Sequence, residues 1–426
     1  MVKKLLFAAI GLCIVGLLLV PQTTNSQIKQ DCKISIDRSA VPSFNFNEIT
    51  IVVQINDASD IQVWANSTPI PYTQVGPNIM FNTDAEDVVV IHTPGTNLAN
   101  LCDTIVAPLK DDKRWVWSHG FDDNSSLVPA IDEFKAKSWP ATLFLIAKDY
   151  DQFRQETHWI IDEPYVNSQI IPVEGWVIGN HSWDHERFDT PNPTIEDYRK
   201  DIRDAQEKLE ASIARSSNPD LKIISFAVPN FSDAYVQPFA DVAATTDLLF
   251  FETGGDFLIT VNEDSPYSSG DFNAEPFSGL NKIGRDTRIE WAIEDVISIM
   301  NWMSENSSEY RRFWYNTLAH GDQEANIKQI LDHAYNNYGP AGTNELWVAT
   351  SSEVYSYLTI RDNAQLSVEI TENDGSPEFE GEYDIYLPMI TAMRNWASKI
   401  VGDPGQDQVP NLLLKVSGHG LQQLKE

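Results

Sequence analysis

Short apolar runs separated by turn residues characterise the first mature part of the chain. Residues 48–55 alternate into an apolar run, and similar runs follow at 61–64 and 88–91. Stretches rich in Asn, Asp, Ser, Pro and Gly separate these runs. Runs of this length between such turns are typical of β-strands. The pattern therefore predicts a small β-sandwich-like domain over residues 27–109.

Strand-like and helical patterns alternate over residues 110–362. Helices that connect successive strands in this way produce a parallel sheet, and this many units favour closure into a barrel. We therefore predict an α/β fold built on a (β/α) barrel. The predicted strands lie at 114–118, 141–146, 176–178, 222–228, 247–251, 313–318 and 346–349. The predicted helices lie at 127–138, 194–215, 289–305, 323–337 and 352–361.

The last segment, residues 363–426, is less regular. Runs at 366–370 and 383–387 have strand-like composition around an Asn-Asp-Gly turn, and 412–416 is a further candidate. We predict a small C-terminal β appendage packed on the barrel. Residues 262–280 are rich in Ser, Gly, Pro and acidic residues, which predicts a surface loop.

The N-terminal residues 1–26 have the pattern of a secretory signal peptide. Lys3 and Lys4 precede an apolar run from Leu5 to Val20, and small polar residues follow. The alternative is a membrane anchor, but the apolar run is short for a stable span. We therefore predict a secreted or periplasmic protein without stable membrane insertion after signal cleavage.

Two cysteines, Cys32 and Cys102, remain after that cleavage. Disulfides form and persist in oxidising compartments, so we expect these two cysteines to pair. The bridge would staple the two ends of the first mature domain. Two buried free thiols are the alternative.

The net charge of the chain limits the classes of molecule that it can bind. The chain has 30 Lys and Arg against 62 Asp and Glu, a formal net charge of -32 at pH 7. Nucleic acid is excluded as a partner by this balance, because phosphate binding needs clustered Lys and Arg. Repulsion also disfavours an acidic glycan.

Side chains able to bind a metal or transfer protons follow three of the predicted barrel strands. They are Asp122 and Asp123, then His181 and His185, then His320. The carboxyl ends of barrel strands share one face, where active sites collect. Two histidines four apart in a turn can offer two nitrogens to a divalent metal. A chance histidine pair, a solvated acidic turn and a strand-end cap are the alternatives.

These side chains belong to three of four ordered motifs. The order and spacing resemble those of the polysaccharide deacetylases, carbohydrate esterase family 4 with the NodB homology domain. The resemblance covers residues 110–360 and implies a distorted (β/α) barrel that binds one divalent metal, usually zinc. The motifs are Phe121-Asp122-Asp123, Gly179-Asn180-His181-Ser182-Trp183-Asp184-His185, Val228-Pro229 and Leu318-Ala319-His320.

The resemblance also implies a role for each matching residue. The metal ligands would be Asp123, His181 and His185, which leave coordination positions open for water and substrate. Asp122 would be the general base and His320 the general acid of the hydrolysis. The adjacent Ser182 is expected to brace the turn rather than to react.

Two positions depart from the family pattern near the base. Asn124 stands where Gly is usual, although Asn tolerates left-handed backbone angles better than most residues. Ala227 stands where the third motif usually carries an arginine that braces the base. Without that cation the pKa of Asp122 should rise, unless Arg285 or Arg288 substitutes.

Other parts of the motif set are incomplete. Asn230 stands where an aromatic residue is common, and its neighbourhood would supply the backbone N–H that holds the developing oxyanion with the metal. A further motif of the family, an Asp-Trp pair, has no clear match, and Asp256 is a candidate for the acid that tunes His320. His119 has no family counterpart and is expected to be a partly buried strand residue, with a place in the cleft as the alternative.

The sequence therefore predicts a secreted, metal-dependent deacetylase that hydrolyses N- or O-acetyl groups of a polysaccharide or oligosaccharide. The absence of an arginine at Ala227 and the extra β-domain motivate an alternative, a catalytically impaired glycan-binding protein that keeps the barrel and the metal site. A third hypothesis is a metal hydrolase that acts on a different acyl or C–N bond.

Overall fold

The computed structural model describes most of the chain from residue 29 onward. The predicted signal peptide and the predicted loop at 262–280 lie outside the described residues. No helix in the described part is both long and apolar enough to cross a membrane. The described residues are 29–95, 101–148, 150, 161–255, 257–261, 281–308, 311–321, 323–372, 382–385, 414–417 and 420–423.

The N-terminal domain consists of two antiparallel sheets. Along β1 and β6 buried and more exposed side chains alternate, which is the period of two expected for half-buried strands. Residues of both sheets share one hydrophobic core, so the predicted sandwich-like domain is present. Its strands are β1 Gln30–Asp37, β2 Ile49–Gln54, β3 Ser59–Ala65, β4 Thr68–Pro69, β5 Thr73–Val75, β6 Asn78–Thr83, β7 Asp87–Thr93 and β8 Thr104–Val106.

A disulfide joins Cys32 to Cys102, as expected, with the two Cα atoms 6.0 Å apart. Cys32 lies on β1 and Cys102 lies just before β8. These two strands belong to different sheets, so the bridge ties the two layers of the domain together.

A nearly closed barrel of parallel strands follows. Its strands are β9 Trp115–Asp122, β10 Thr142–Leu145, β11 Val177–Asn180, β12 Ser225–Ala227, β13 Phe250–Gly254, β15 Asn281–Arg285 and β16 Phe313–Ala319, with β14 Leu258–Thr260 antiparallel to β16 and β17 Leu346–Val348 beside β9. In the described residues the strands β16, β9, β10, β11, β12, β13 and β15 pair in that order. A bridge between Asp286 and Thr317 links the end of β15 to β16.

Helices connect these strands and cover the barrel. They are α1 Val128–Ala136, α2 Ile195–Ile213, α3 Val236–Ala243, α4 Ile293–Asn306, α5 Glu324–Asn337 and α6 Ser351–Asn363. At the start of α2, Thr194 and Asp197 form a capping box, which satisfies free N–H groups of the first turn. The predicted helices all lie within a few residues of their observed positions, whereas β14 and β15 were not predicted.

Helix α6 closes the amino end of the barrel. Tyr355 stacks on Phe250 of β13 with ring centroids 4.6 Å apart and also contacts Phe44 of the N-terminal domain. The Tyr357 hydroxyl donates to the carbonyl of Ala107 at 2.8 Å. A helix that is buried on nearly all sides must be enclosed, here between the sandwich and the barrel. The opposite, carboxyl end of the barrel is left for the site.

The C-terminal strands join the N-terminal domain instead of packing on the barrel as predicted. Strand β18 Gln365–Glu372 pairs antiparallel with the whole of β1, and β19 Glu382–Ile385 pairs with β18. A local pattern cannot reveal this pairing, because the two strands lie far apart in the sequence. Two further strands, β20 Leu414–Ser417 and β21 Gly420–Gln423, pair with each other. The domain boundaries at 27–109, 110–362 and 363–426 stay predictions.

Candidate metal and catalytic site

The structure brings the predicted residues together at the carboxyl ends of β9, β11 and β16. Two of the turns carry residues with positive φ, which are Asp123 at 69°, Ser182 at 68° and His185 at 52°. Left-handed backbone at residues other than glycine costs free energy and clusters at functional sites. The turns after β9 and β11 therefore adopt backbone conformations that most residues other than glycine avoid.

Asp123, His181 and His185 converge on one point. The Oδ1 atom of Asp123 lies 3.6 Å from Nε2 of His181 and 3.7 Å from Nε2 of His185. Among the described residues, Oδ1 of Asp123 and Nε2 of His181 are buried without a hydrogen-bond partner. Buried polar atoms are nearly always satisfied, so two orphaned ligand atoms facing each other fit a divalent cation between them.

The main chain of β12 selects the tautomer of His181. Nδ1 of His181 donates to the carbonyl of Ala227 at 2.9 Å, which leaves the lone pair of Nε2 facing Asp123. Burial lowers the pKa of His181, although the neighbouring carboxylates oppose this effect. A metal needs the neutral ring, so both the hydrogen bond and the burial prepare His181 as a ligand.

The turn between the two histidines is held from below by Asp201 of α2. One carboxylate oxygen of Asp201 accepts from the backbone N–H groups of Trp183 and Asp184 at 3.2 and 3.1 Å. The other accepts from the hydroxyl of Tyr235 at 2.6 Å. Sequence reasoning missed Asp201. Its position next to Ile202, on the buried stripe of an amphipathic helix, is the signal that could have revealed it.

Ser182 braces the same turn, as expected. Its hydroxyl accepts from the backbone N–H of His185 at 2.9 Å, and its own N–H donates to the side-chain oxygen of Asn180 at 2.8 Å. The side chain of Trp183 packs against the hydrophobic core of the barrel domain.

Asp122 has a cationic partner, so its pKa does not rise. Arg285 of β15 donates from both terminal nitrogens to the two carboxylate oxygens of Asp122, at 2.6 and 2.9 Å. Burial alone would raise the pKa of Asp122, but the charge and hydrogen bonds of Arg285 outweigh it and lower the pKa to about 2. The substitution by Arg285 is therefore confirmed, whereas Arg288 binds Asp286 instead.

Asn124 does not serve the purpose that the sequence suggested. The left-handed residue of this turn is Asp123, and Asn124 is a buried clamp. Its side-chain oxygen accepts from the N–H of Ile146 at 2.8 Å, and its nitrogen donates to the carbonyls of Ile146 and Ile161 at 3.3 Å. Asn124 thus ties the turn after β9 to the segment after β10, which a glycine could not do.

His320 has an acidic partner in Glu290. Oε1 of Glu290 lies 2.8 Å from Nδ1 of His320 and accepts its backbone N–H at 2.6 Å. The hydrogen bond to Glu290 is the largest of the influences that raise the pKa of His320 to about 9. Asp256, the predicted partner, lies outside the described residues. Because Trp291 follows Glu290, this acid–tryptophan pair is a candidate for the Asp-Trp motif of the family.

The remaining candidates divide between the site and the core. Asn230 lies in a short turn directly after β12, with a φ of 50°, and donates from its side chain to Glu186 at 3.0 Å. Its oxyanion role stays a prediction. His119 is a fully buried strand residue whose ring stacks on Phe134 at 5.0 Å, so it lies outside the cleft. Burial lowers the pKa of His119 to about 3.

Comparison with known proteins agrees with this site. Residues 110–232 match the family model "Polysaccharide deacetylase". The matched segment contains Asp122, Asp123, His181 and His185 and ends before Arg285. It confirms the resemblance found in the sequence. A search of curated proteins finds no match to this chain.

Several solved structures are similar to the chain at low identity. A family 4 carbohydrate esterase from Streptomyces lividans in complex with acetate is 13% identical, with a TM-score of 0.32 over 54% of this chain and 90% of that chain. The peptidoglycan deacetylase PdaC from Bacillus subtilis is 15% identical, with a TM-score of 0.32 over 58% and 92%. Puue allantoinase is 8% identical, with a TM-score of 0.42 over 59% and 92%.

Proposed function

We propose that the chain, whose residues 110–232 match the polysaccharide deacetylase family model, is a secreted, metal-dependent deacetylase of the carbohydrate esterase family 4 type that releases acetate from N- or O-acetyl groups of a glycan. One observation carries the proposal. The orphaned ligand atoms of Asp123 and His181 lie beside His185, with a carboxylate and a histidine suited to proton transfer next to them. The predicted signal peptide and the disulfide support secretion.

Asp123, His181 and His185 would hold the metal, with zinc as the expected ion. A divalent ion bound there supplies Lewis acidity, which polarises the acetyl carbonyl and makes water more acidic. Asp122 is placed to accept a proton from the attacking water. Its oxygen Oδ2 lies 3.8 Å from Nε2 of His181, so the base sits at the edge of the metal pocket.

His320 completes the hydrolysis on the other side. Water adds to the acetyl carbon, the C–N or C–O bond to the sugar breaks, and the imidazolium of His320 protonates the leaving nitrogen or oxygen. Glu290 keeps that imidazolium protonated by raising its pKa to about 9. The products are acetate and a free amino or hydroxyl group on the sugar. A backbone N–H near Asn230 would donate to the carbonyl oxygen as its negative charge develops.

The first argument for the alternative, an impaired glycan-binding protein, no longer holds. It rested on the missing arginine at Ala227, and Arg285 supplies the cation from another strand. The base therefore keeps the ionised form that the hydrolysis needs.

The test is acetate release from a panel of N- and O-acetylated glycans, with non-sugar amides beside them. We expect the wild-type protein and a surface control, Asp332→Asn, to release acetate from one glycan class. Asp122→Asn should lose about 100-fold or more of that activity, the usual contribution of a general base, and keep its metal. No release from any glycan, or a fully active Asp122→Asn variant, would overturn the proposal. Release from non-sugar amides alone would favour the third hypothesis.

A further inference from the structure

A second buried carboxylate, Glu252 of β13, faces the arginine that braces the base. The side chain of Arg285 is 0% exposed and lies between two acids inside the barrel. Its two terminal nitrogens grip Asp122, and its Nε lies 3.6 Å from Oε2 of Glu252, whose side chain is also 0% exposed. The same oxygen of Glu252 accepts from Nδ2 of Asn316 on β16 at 3.1 Å. The charged side chains of Asp122, Arg285 and Glu252, from three different barrel strands, therefore contact one another in a row.

Aromatic rings complete the enclosure of the guanidinium. The centre of the guanidinium lies 5.2 Å from the ring of Phe144 and 5.9 Å from the ring of Phe231. The Phe144 ring fits only because glycines flank it. A Cβ atom at Gly120 would come within 2.9 Å of the ring, and one at Gly179 within 2.4 Å. This packing restricts the plane of the guanidinium but does not fix the direction of its fork.

The direction of the Arg285 fork must therefore be fixed by the charged groups around it. A buried guanidinium that loses one of its acidic neighbours becomes poorly compensated and turns toward the neighbour that remains or toward water. The carboxylate of Glu252 attracts the Nε edge of the guanidinium, which is the edge away from Asp122. The hydrogen bond from Asn316 on β16 holds that carboxylate in place. A guanidinium pulled from both edges keeps its fork in the plane of the Asp122 carboxylate.

We infer that Glu252 is a positioning residue, whose buried carboxylate orients Arg285 so that its fork holds Asp122 in the geometry required of the base. The inference rests on the proposed deacetylase function. It assigns Glu252 no contact with the substrate. Its effect passes through Arg285, so it should change the rate of the chemical step and leave binding of substrate and metal unchanged.

The first experiment compares Glu252→Gln with Glu353→Gln. The control removes a partly buried carboxylate that pairs with Lys110 at 3.2 Å, beside the N-terminal domain and away from the site. Glu252→Gln should lower kcat about 10- to 100-fold, the usual effect of a small misplacement of a reacting group, with KM within about twofold. Glu353→Gln should keep kcat, and both variants should keep their metal content. An unchanged kcat in Glu252→Gln, or an equal loss in both variants, would overturn the inference.

A second measurement needs no activity and so separates this inference from the proposed function. In protein labelled with 15N-arginine, the Nε–H of a fixed, buried Arg285 should give a slowly exchanging NMR signal that Arg285→Lys removes. Glu252→Gln should shift that signal and raise its exchange rate at least about 10-fold, whereas Glu353→Gln should leave it unchanged. If the signal keeps its position and exchange rate in Glu252→Gln, Glu252 does not position Arg285, whether or not the wild-type protein releases acetate.

Discussion

The guanidinium of Arg285 grips both carboxylate oxygens of Asp122, at 2.6 and 2.9 Å, although the two residues are 163 positions apart in the sequence. The family motif would place this cation at residue 227 on β12, where the chain has alanine. Here it comes from β15 instead. Both positions lie inside the same barrel, so a cation from either strand can serve the same carboxylate.

Exchange of the two positions tests this relocation. Arg285→Ala should lower kcat at least about 10-fold, because it removes a buried partner of the base and leaves a carboxylate that is harder to keep ionised. Adding Ala227→Arg to that variant should restore part of the activity. The new arginine on β12 then supplies the charge, and the removal of the Arg285 side chain leaves room for it. Ala227→Arg alone should not raise kcat, because Arg285 already occupies the partner position. Full activity in Arg285→Ala would contradict the role of this ion pair.

The pH dependence of kcat should report the pair of His320 and Glu290. The general acid must be protonated, and the pKa of His320 is raised to about 9, so activity should persist through neutral pH and fall as the pH rises toward 9. The negative charge of Asp123 helps to raise the pKa of His320, and a bound cation would offset that charge. The alkaline limb of the pH profile should therefore lie at or below pH 9.

Glu290→Gln should move the alkaline limb to lower pH. The variant removes the carboxylate charge that favours imidazolium, and the pKa of His320 then returns toward its ordinary value of 6.5. The pH profile of kcat for acetate release, measured for the wild type and this variant, checks the direction. A limb that stays in place, or that moves to higher pH, would exclude Glu290 as the group that tunes the acid.

Asp201 should control metal affinity without touching the metal. Its carboxylate holds two backbone N–H groups of the turn between the ligands, so Asp201→Ala should weaken metal binding by about 10- to 100-fold, as for other residues that orient ligands. Asp204→Ala is the matched control, since Asp204 lies on the same helix and pairs with Lys200 at the surface. Competition with a zinc chelator measures both variants, and equal affinities would refute the role of Asp201.

Asn124→Gly restores the residue usual in the family and should nevertheless destabilise this protein. The variant removes three buried hydrogen bonds and leaves the N–H of Ile146 unsatisfied, which costs about 1–3 kcal/mol of unfolding free energy. Asn218→Gly, at an exposed loop position, controls for the flexibility that glycine adds to the unfolded chain. Urea unfolding of both variants gives the comparison, and equal stabilities would show that the clamp contributes nothing.

The sequence pattern predicted that the proposed ligands, base and acid would lie together, because each follows a predicted strand and the carboxyl ends of parallel strands meet at one face. The sequence could not decide whether Arg285 or Arg288 replaces the missing arginine, because the strand that carries Arg285 was not predicted. Glu290 and Asp201 look like ordinary acidic residues in a turn and a helix. Their roles depend on partners from distant segments, as does the pairing of β18 with β1, and local periodicity carries no information about such contacts.

Reconstitution with zinc tests the central claim most directly. Metal-stripped protein is titrated with zinc while acetate release from the glycan substrate is measured, with His181→Ala as the control that lacks one ligand. We expect release to rise from near zero to a plateau at one equivalent of zinc, and His181→Ala to stay inactive over the same range. Full release by the metal-stripped protein, or equal activity in His181→Ala, would contradict a metal-dependent deacetylase at this site.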